Sequence, residues 1–77
     1  MTIKVLYFAS LKELLGCGEE SISAEAVKTV EDVWLLVSQG KNISQQVLYS
    51  VNQEYAEGDA LVKAGDEVAF FPPVTGG

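Results

Sequence analysis

The sequence has 77 residues, 48% of them hydrophobic and 21% charged, which predicts one small globular domain with too little volume to enclose a substrate in an internal cavity. Five lysines and no arginine stand against eleven acidic residues, and the resulting net charge of −6 argues against nucleic-acid binding and favours a basic protein partner. The chain has no histidine and one cysteine, Cys17, which excludes histidine-based triads, thiolate metal clusters and an intrachain disulfide.

The sequence carries no recognisable export or membrane signal, so we expect a cytoplasmic protein with no membrane partner. No segment approaches the roughly 20 apolar residues of a membrane span. The N-terminus lacks the basic region, long apolar run and cleavage site of a signal peptide. Cys17 lies between Gly16 and Gly18 without a visible electropositive setting, so we expect its thiol to be incidental and not reactive.

The first predicted element is a mostly buried strand over residues 3–9, because branched and aromatic side chains dominate this segment. With Lys4 facing outward, alternation gives the strand two apolar faces, so both are partly covered or one is a docking surface. The first face holds Ile3, Val5 and Tyr7, and the second holds Leu6 and Phe8 beside Lys4.

A short helix and an exposed strand are expected next. Ser10 and Glu13 have the spacing of a capping box, which predicts a helix over residues 11–15 that ends at Gly16. Residues 19–26 alternate weakly, with Ile22 and Ala24 on one side, which predicts a second strand. It would pair with the first strand in a hairpin-like arrangement.

The main helix is predicted to begin at Thr29, a good N-cap residue with Asp32 three positions later, and to end at Gly40. Its apolar stripe is most simply interpreted as core. The stripe consists of Val30, Val33, Trp34 and Val37.

The C-terminal half is predicted to hold short strands separated by turns. A segment that begins near Ser44 continues into residues 49–51, and its pattern leaves helix and strand open. Turn signals flank a short segment, Glu54–Ala56, and another turn spans residues 63–66. The final strand is Glu67–Phe71, because Pro72 stops it.

This order of elements predicts an α+β domain of the β-grasp type, with one helix packed on a small mixed sheet. Alternation in the last strand places Phe70 in the core and makes Phe71 an exposed aromatic, the type of residue that anchors interfaces. If the first and last strands are neighbours, Phe8 and Phe71 form one outer apolar patch.

The chain is predicted to divide into a domain over residues 1–71 and a tail over residues 72–77. Pro72 and Pro73 favour a stiff extended spacer. Gly76 and Gly77 form a thin thread that can carry the terminal carboxylate into a narrow channel of another protein. The alternative is a frayed terminus without a function.

Two segments resemble a known family. Residues 65–77 read GDEVAFFPPVTGG and residues 3–16 read IKVLYFASLKELLG, and together they resemble the small subunit of molybdopterin synthase, the MoaD type of ubiquitin-like sulfur carrier. The resemblance covers nearly the whole chain, and residues 19–50 are its least distinctive part. The C-terminal motif FPPVTGG is much more specific than a terminal Gly-Gly pair.

The resemblance implies that an activating enzyme uses ATP to adenylate the carboxylate of Gly77 and that a sulfur donor converts the adenylate into a thiocarboxylate. Inside the large synthase subunit, the thiocarboxylate would give its sulfur to cyclic pyranopterin monophosphate. Gly76 would provide clearance, and the synthase would be a heterotetramer. Catalysis would reside in the large subunit, and the small subunit would hold no cofactor or metal of its own.

The resemblance also implies a set of partner-binding residues. Phe8, Tyr55 and Phe71 match the apolar docking positions of the family, although the family often has an aliphatic residue in place of Tyr55. The tail residues that follow join them in the predicted interface: Pro72, Pro73, Val74 and Thr75. Two alternatives stay open, a thiamine-type sulfur carrier or ubiquitin-like modifier, and a binding module with an inert tail.

Overall fold

The computed structural model describes residues 1–38 and 46–73, and the described strands form one five-stranded mixed sheet. The strand order is β2-β1-β5-β3-β4. The strands are β1 (Thr2–Tyr7), β2 (Glu19–Ser23), β3 (Leu48–Val51), β4 (Glu54–Ala56) and β5 (Glu67–Phe71), and the helices are α1 (Ser10–Leu15), a 3₁₀ turn (Ala24–Ala26) and α2 (Val30–Ser38).

The first and last strands are neighbours, as the β-grasp prediction required. β1 and β5 pair in parallel at the centre of the sheet, and the other strand pairs are antiparallel. The parallel register aligns Tyr7 with Phe70. Because paired residues point to the same face, this register separates an inner face that meets α2 from an outer face.

The inner face forms the core around Phe70. The predicted inward residues of β1 are buried, and Val30 and Val33 of α2 pack against them. The Phe70 ring is fully buried and lies 5.0 Å from the ring of Trp34, 5.5 Å from that of Tyr49 and 6.2 Å from that of Tyr7, measured between centroids. The prediction that Phe70 belongs to the core is confirmed.

The start of α1 differs from the predicted capping box. The helix begins at Ser10, and its N-cap is Ala9, which makes no side-chain capping bond. Ala9 has φ 54° and ψ −131°, and the Leu11 N–H donates to the Phe8 carbonyl at 3.1 Å, which together form a tight turn of the mirror-image type II class. This turn moves the helix start by one residue, so the prediction that Ser10 is the cap is wrong. The predicted end is confirmed, because Gly16 is left-handed with φ 81°.

The start of α2 agrees with the prediction. The Asp32 N–H donates to Thr29 Oγ1 at 3.2 Å, and the Asp32 carboxylate accepts the N–H groups of Lys28 at 3.0 Å and Thr29 at 3.1 Å. These backbone hydrogen bonds hold the pKa of the Asp32 carboxyl below its ordinary value. The predicted end at Gly40 lies outside the described residues.

Two strand boundaries differ from the prediction. β1 ends at Tyr7 and not at Ala9, because the turn at Ala9 redirects the chain. β2 ends at Ser23, and Ala24–Ala26 form a 3₁₀ turn instead of extending the strand. Ile22 and Ala24 nevertheless both pack against the core, as their alternation predicted, and the pairing of β2 with β1 is confirmed.

The open choice for residues 49–51 resolves to a strand. β3 and β4 form a hairpin whose two central residues, Asn52 and Gln53, have φ values of 52° and 70°, the pattern of a type I′ turn. The Asn52 side chain donates to Asp66 at 3.1 Å and accepts the Glu67 N–H at 3.0 Å, which ties this turn to the start of β5. The part of the predicted segment near Ser44 lies outside the described residues.

None of the described helices has the length and apolar character needed to cross a membrane. The longest of them, α2, has nine residues.

Candidate functional site

The outer face of the sheet carries an apolar surface next to the end of β5, which we name the outer patch. Strand pairing places side chains on this face, since Leu6 pairs with Ala69 and Leu48 pairs with Phe71. The outer patch consists of Leu6, Phe8, Leu48, Tyr55, Ala69 and Phe71.

Tyr55 and Phe71 are the aromatic pair of the outer patch. Tyr55 pairs with Ser50, and Ser50 pairs with Ala69, so Tyr55 shares the face of β5 that bears Phe71. The two ring centroids lie 5.8 Å apart with a tilt of 56°. Tyr55 is 82% exposed, whereas Phe71 is half-buried because it lies between neighbouring strands and contacts the Tyr55 ring. Phe71 is therefore on the predicted face but less exposed than expected.

Phe8 lies at the other side of the outer patch, just past the end of β1. Its N–H donates to the Phe70 carbonyl at 3.2 Å, which holds this end of β1 against β5 one residue before Phe71. The Phe8 side chain is 49% exposed. The backbone of Phe8 therefore lies beside the end of β5, and its side chain lines a surface pocket with Lys12 and Glu19. A single patch formed by Phe8 and Phe71 stays a prediction.

The tail begins directly beside the outer patch. Pro72 and Pro73 follow Phe71 and are half-buried, so the spacer starts at the surface of the domain. The other predicted site residues, Val74, Thr75, Gly76 and Gly77, lie outside the described residues. The described part of the candidate site is therefore the platform from which the tail starts.

Three members of the outer patch were not among the predicted site residues: Leu6, Leu48 and Ala69. The alternation around Lys4 had already grouped Leu6 with Phe8, so that signal was available. Leu48 was missed because its segment could not be assigned to a strand. Ala69 is only 6% exposed, so its side chain offers little area to a partner.

Exposed acidic residues lie near Tyr55 in the chain. Glu54 precedes Tyr55 and points to the opposite face of the sheet, and Glu57 follows two residues later. Farther along the outer face, Lys4 Nζ lies 3.5 Å from a Glu19 carboxylate oxygen. Residues 1–38 and 46–73 contain no group of three or more acidic, cysteine or histidine side chains placed to hold a metal ion.

Cys17 is half-buried, and its thiol donates to a Glu20 carboxylate oxygen at 3.8 Å. The same carboxylate oxygen accepts the Tyr7 hydroxyl at 2.6 Å. Burial, followed by this hydrogen bond, raises the pKa of the Tyr7 phenol. That the Cys17 thiol is incidental stays a prediction.

Comparison with known proteins identifies close relatives. The model of the ThiS family matches residues 5–77. The molybdopterin synthase sulfur carrier subunit of Escherichia coli (strain K12) is 42% identical, in an alignment that covers 97% of this chain and 99% of that protein.

Two solved structures share the fold. The small archaeal modifier protein 1 of H. volcanii superposes with a TM-score of 0.78 at 25% identity and covers 95% of this chain and 98% of its own. A chain in the complex of subunits 1 and 2 of molybdopterin-converting factor from Helicobacter pylori 26695 superposes with a TM-score of 0.70 at 18% identity, with complete coverage of both chains. These superpositions agree with the ubiquitin-like β-grasp assignment.

Proposed function

The chain belongs to the ThiS family, among its molybdopterin synthase sulfur carrier subunits, and on this basis we propose that it carries sulfur on the carboxylate of Gly77 for a molybdopterin synthase. The proposal covers the activation of Gly77, the transfer of its sulfur and the partners that each step needs. The curated relatives carry the sulfur-carrier name, which favours this function over a protein modifier or an inert binding module.

The observation that supports the proposal most strongly is that the outer patch lies next to Pro72, where the tail starts. Phe71 ends β5 and Pro72 follows it, so a partner that covers the outer patch also receives the chain that leads to Gly77. Aromatic residues at the centre of an interface contribute much of its binding energy. Docking on Phe8, Tyr55 and Phe71 would fix where the tail enters the partner, with residues 72–75 lining the path.

The chemistry starts at an unreactive group. An α-carboxylate has a pKa of about 3.3 to 3.7 and is ionised at neutral pH, so a nucleophile does not displace its oxygen without activation. The carboxylate of Gly77 attacks the α-phosphorus of ATP in the activating enzyme, and pyrophosphate leaves. The sulfur donor then displaces AMP from the acyl adenylate and leaves a thiocarboxylate, a soft nucleophile at the end of a thin tether.

Sulfur transfer to cyclic pyranopterin monophosphate requires groups that this chain lacks. The sequence has no arginine and no histidine, and its five lysines are scattered. The large subunit would therefore supply the cations that hold the substrate phosphate and the acid–base groups that move protons. In the H. pylori complex, subunit 1 is bound to subunit 2, which supports a large-subunit partner here. We propose a heterotetramer with two copies of each subunit.

The remaining expectations belong to the same proposal. Residues 1–71 form the docking domain and residues 72–77 form the reactive tail. The chain works in the cytoplasm, where a single unpaired cysteine is stable. It needs no cofactor of its own, since ATP is consumed by the activating enzyme.

A reconstituted synthase tests this function. The chain is incubated with the activating enzyme, ATP and a sulfur source, then with the large subunit and cyclic pyranopterin monophosphate, and molybdopterin is measured. The intact chain should support product formation, whereas a chain without Gly76 and Gly77 should bind the large subunit through the outer patch but yield no product. Equal product from both chains would refute the proposed role of the tail.

A further inference from the structure

The free side of β2 and the adjoining face of α2 form a second surface, which we name the β2 edge surface. β2 is the last strand of the described sheet, and its neighbour in that sheet is β1. We propose that this surface binds an extended basic segment of a partner protein, which pairs with β2 as an added strand. This inference concerns a surface other than the outer patch and does not depend on the chemistry of Gly77.

The register shows which backbone groups of β2 face away from the sheet. Tyr7 N–H donates to the Gly18 carbonyl at 2.9 Å, and Ala24 N–H donates to the Met1 carbonyl at 3.0 Å. Hydrogen-bonded pairs alternate along an antiparallel ladder, so the even-numbered positions of β2 face β1. The odd-numbered positions direct their N–H and C=O groups outward: Glu19, Ser21 and Ser23. These groups have the spacing that an added strand requires.

A groove on the helix side of the sheet continues from the end of this strand. It has a volume of 480 Å³ and is lined by the connection after β2 and by the outward face of α2. Leu35 is 62% exposed and Leu36 is 37% exposed, and both line the groove with Ala26. A segment paired along β2 would therefore continue toward this groove, whose lining combines the two leucines with the charged side chains of Glu25, Lys28 and Asp32.

Charge identifies the kind of occupant. The carboxylates of Glu19 and Glu20 on β2 and of Glu25 and Asp32 beside the groove outnumber the lysines of this surface. These lysines are Lys4, whose Nζ lies 3.5 Å from Glu19, and Lys28, which lines the groove. Two β2 edges paired with each other would bring these carboxylates together, so a second copy of this acidic chain is a poor occupant. A segment with lysine or arginine between apolar residues matches both the carboxylates and the leucines.

Edge strands often carry charges simply to prevent aggregation. That explanation accounts for Glu19 and Glu20, but it does not account for the exposure of Leu35 in the groove that continues the strand. The combination of outward backbone groups, acidic side chains and a groove with exposed leucines is typical of strand addition. β2 and β4 lie at opposite edges of the sheet, so an occupant of the β2 edge surface would leave Tyr55 accessible.

The test uses the full chain labelled with ¹⁵N and a peptide of alternating valine and lysine, about eight residues long so that it exceeds the strand. We expect saturable shifts of the amide signals of Glu19, Ser21, Ser23 and Leu35. Amide exchange at the three β2 positions should slow by about tenfold in the complex. A matched peptide of valine and glutamate should bind at least about tenfold more weakly.

Two variants separate strand addition from general attraction of a basic peptide. Ser21→Pro removes an outward N–H without removing a bond to β1, and Leu35→Ser removes an exposed apolar side chain from the groove without adding a charge or disturbing a buried side chain. Each should weaken binding of the valine–lysine peptide by about fivefold or more. Leu35→Ser should also leave product formation by the reconstituted synthase unchanged, which distinguishes a failure of this inference from a failure of the sulfur-carrier function.

Three results would overturn the inference. The first is the lack of saturable binding by the valine–lysine peptide. The second is equal binding of the two peptides. The third is a set of shifts confined to the outer patch around Tyr55 and Phe71.

Discussion

The rings of Tyr55 and Phe71 lie 5.8 Å apart on the outer face of the sheet, one residue before the tail begins at Pro72. The contact joins β4 at one edge of the sheet to β5 at its centre, so it spans the intervening β3. An aromatic pair of this kind presents a large rigid area to a partner at low conformational cost. In the proposed function, a partner that docks on this pair would receive the tail in the same event.

Phe71→Ala is expected to weaken binding of the large subunit by about 2 kcal/mol or more, because it removes the half-buried member of this aromatic pair. Isothermal titration with the purified large subunit measures the change. Leu61→Ala is the matched control, since Leu61 is 79% exposed and pairs with Thr29 away from the outer patch. An unchanged dissociation constant for Phe71→Ala would remove this residue from the site.

The alkaline stability of the domain should depend on Tyr7. The pKa of its phenol is raised by burial first and then by the hydrogen bond to Glu20, so the folded state keeps the proton when the unfolded chain loses it near pH 10. The titration of this group therefore causes no pH dependence of the free energy of unfolding below about pH 10, and above it the free energy of unfolding falls by up to about 1.4 kcal/mol per pH unit.

In Tyr7→Phe, the free energy of unfolding should fall less steeply with pH above about pH 10 than in the parent chain. At neutral pH it should lower the free energy of unfolding by about 1 kcal/mol, since Glu20 loses its donor. Urea unfolding at several pH values measures both effects, and Tyr55→Phe is the control at neutral pH because Tyr55 is 82% exposed. The same steep loss above pH 10 in Tyr7→Phe and in the parent chain would contradict the assignment.

Ala9→Gly is expected to raise the free energy of unfolding by about 1 kcal/mol. Ala9 has φ 54° at a turn position that suits glycine, and relief of this strain should exceed the added entropy of the unfolded chain. Gly16→Ala is the matched control and should lower the free energy of unfolding by about 1 kcal/mol, because Gly16 has φ 81°. The added Cβ would meet nothing within 4 Å, so this loss would come from backbone strain and not from a steric clash. Trp34 fluorescence during urea unfolding measures the free energy of unfolding of both variants. Changes of the same sign in the two variants would refute the strain argument.

One residue added after Gly77 should abolish sulfur transfer without changing the stability of the domain. The addition displaces the reacting carboxylate, whereas the core cluster of described residues is formed by residues that precede Pro72. Product formation by the reconstituted synthase and urea unfolding are measured together. Cys17→Ser is the control and should transfer sulfur normally. If the extended chain retained activity, or if Cys17→Ser lost it, the assignment of the transferred sulfur to Gly77 would be wrong.

The sequence predicted the features that depend on local patterns. Alternation was enough to separate Phe70 from Phe71, and the spacing of Thr29 and Asp32 was enough to place the start of α2. The order of strand and helix signals indicated the β-grasp fold and hence the adjacency of β1 and β5.

The features that the sequence did not predict depend on tertiary register. The contact of Tyr55 with Phe71 requires the β3–β4 hairpin. The sequence pattern of the segment that contains β3 fitted both a helix and a strand. The turn at Ala9 replaced the Ser10 cap because the Phe8 carbonyl accepts the Leu11 N–H. No local rule predicts a turn with positive φ at an alanine, since glycine is the residue that such a turn favours.

The most direct test of the central claim is the intact mass of the chain purified from its own cells, compared with the mass calculated from its sequence. Exchange of one oxygen for one sulfur, localised to Gly77 by fragmentation, is the predicted result. An unmodified mass that persists after incubation with ATP, the activating enzyme and a sulfur source would contradict the sulfur-carrier function and leave the outer patch as the surface of a binding module.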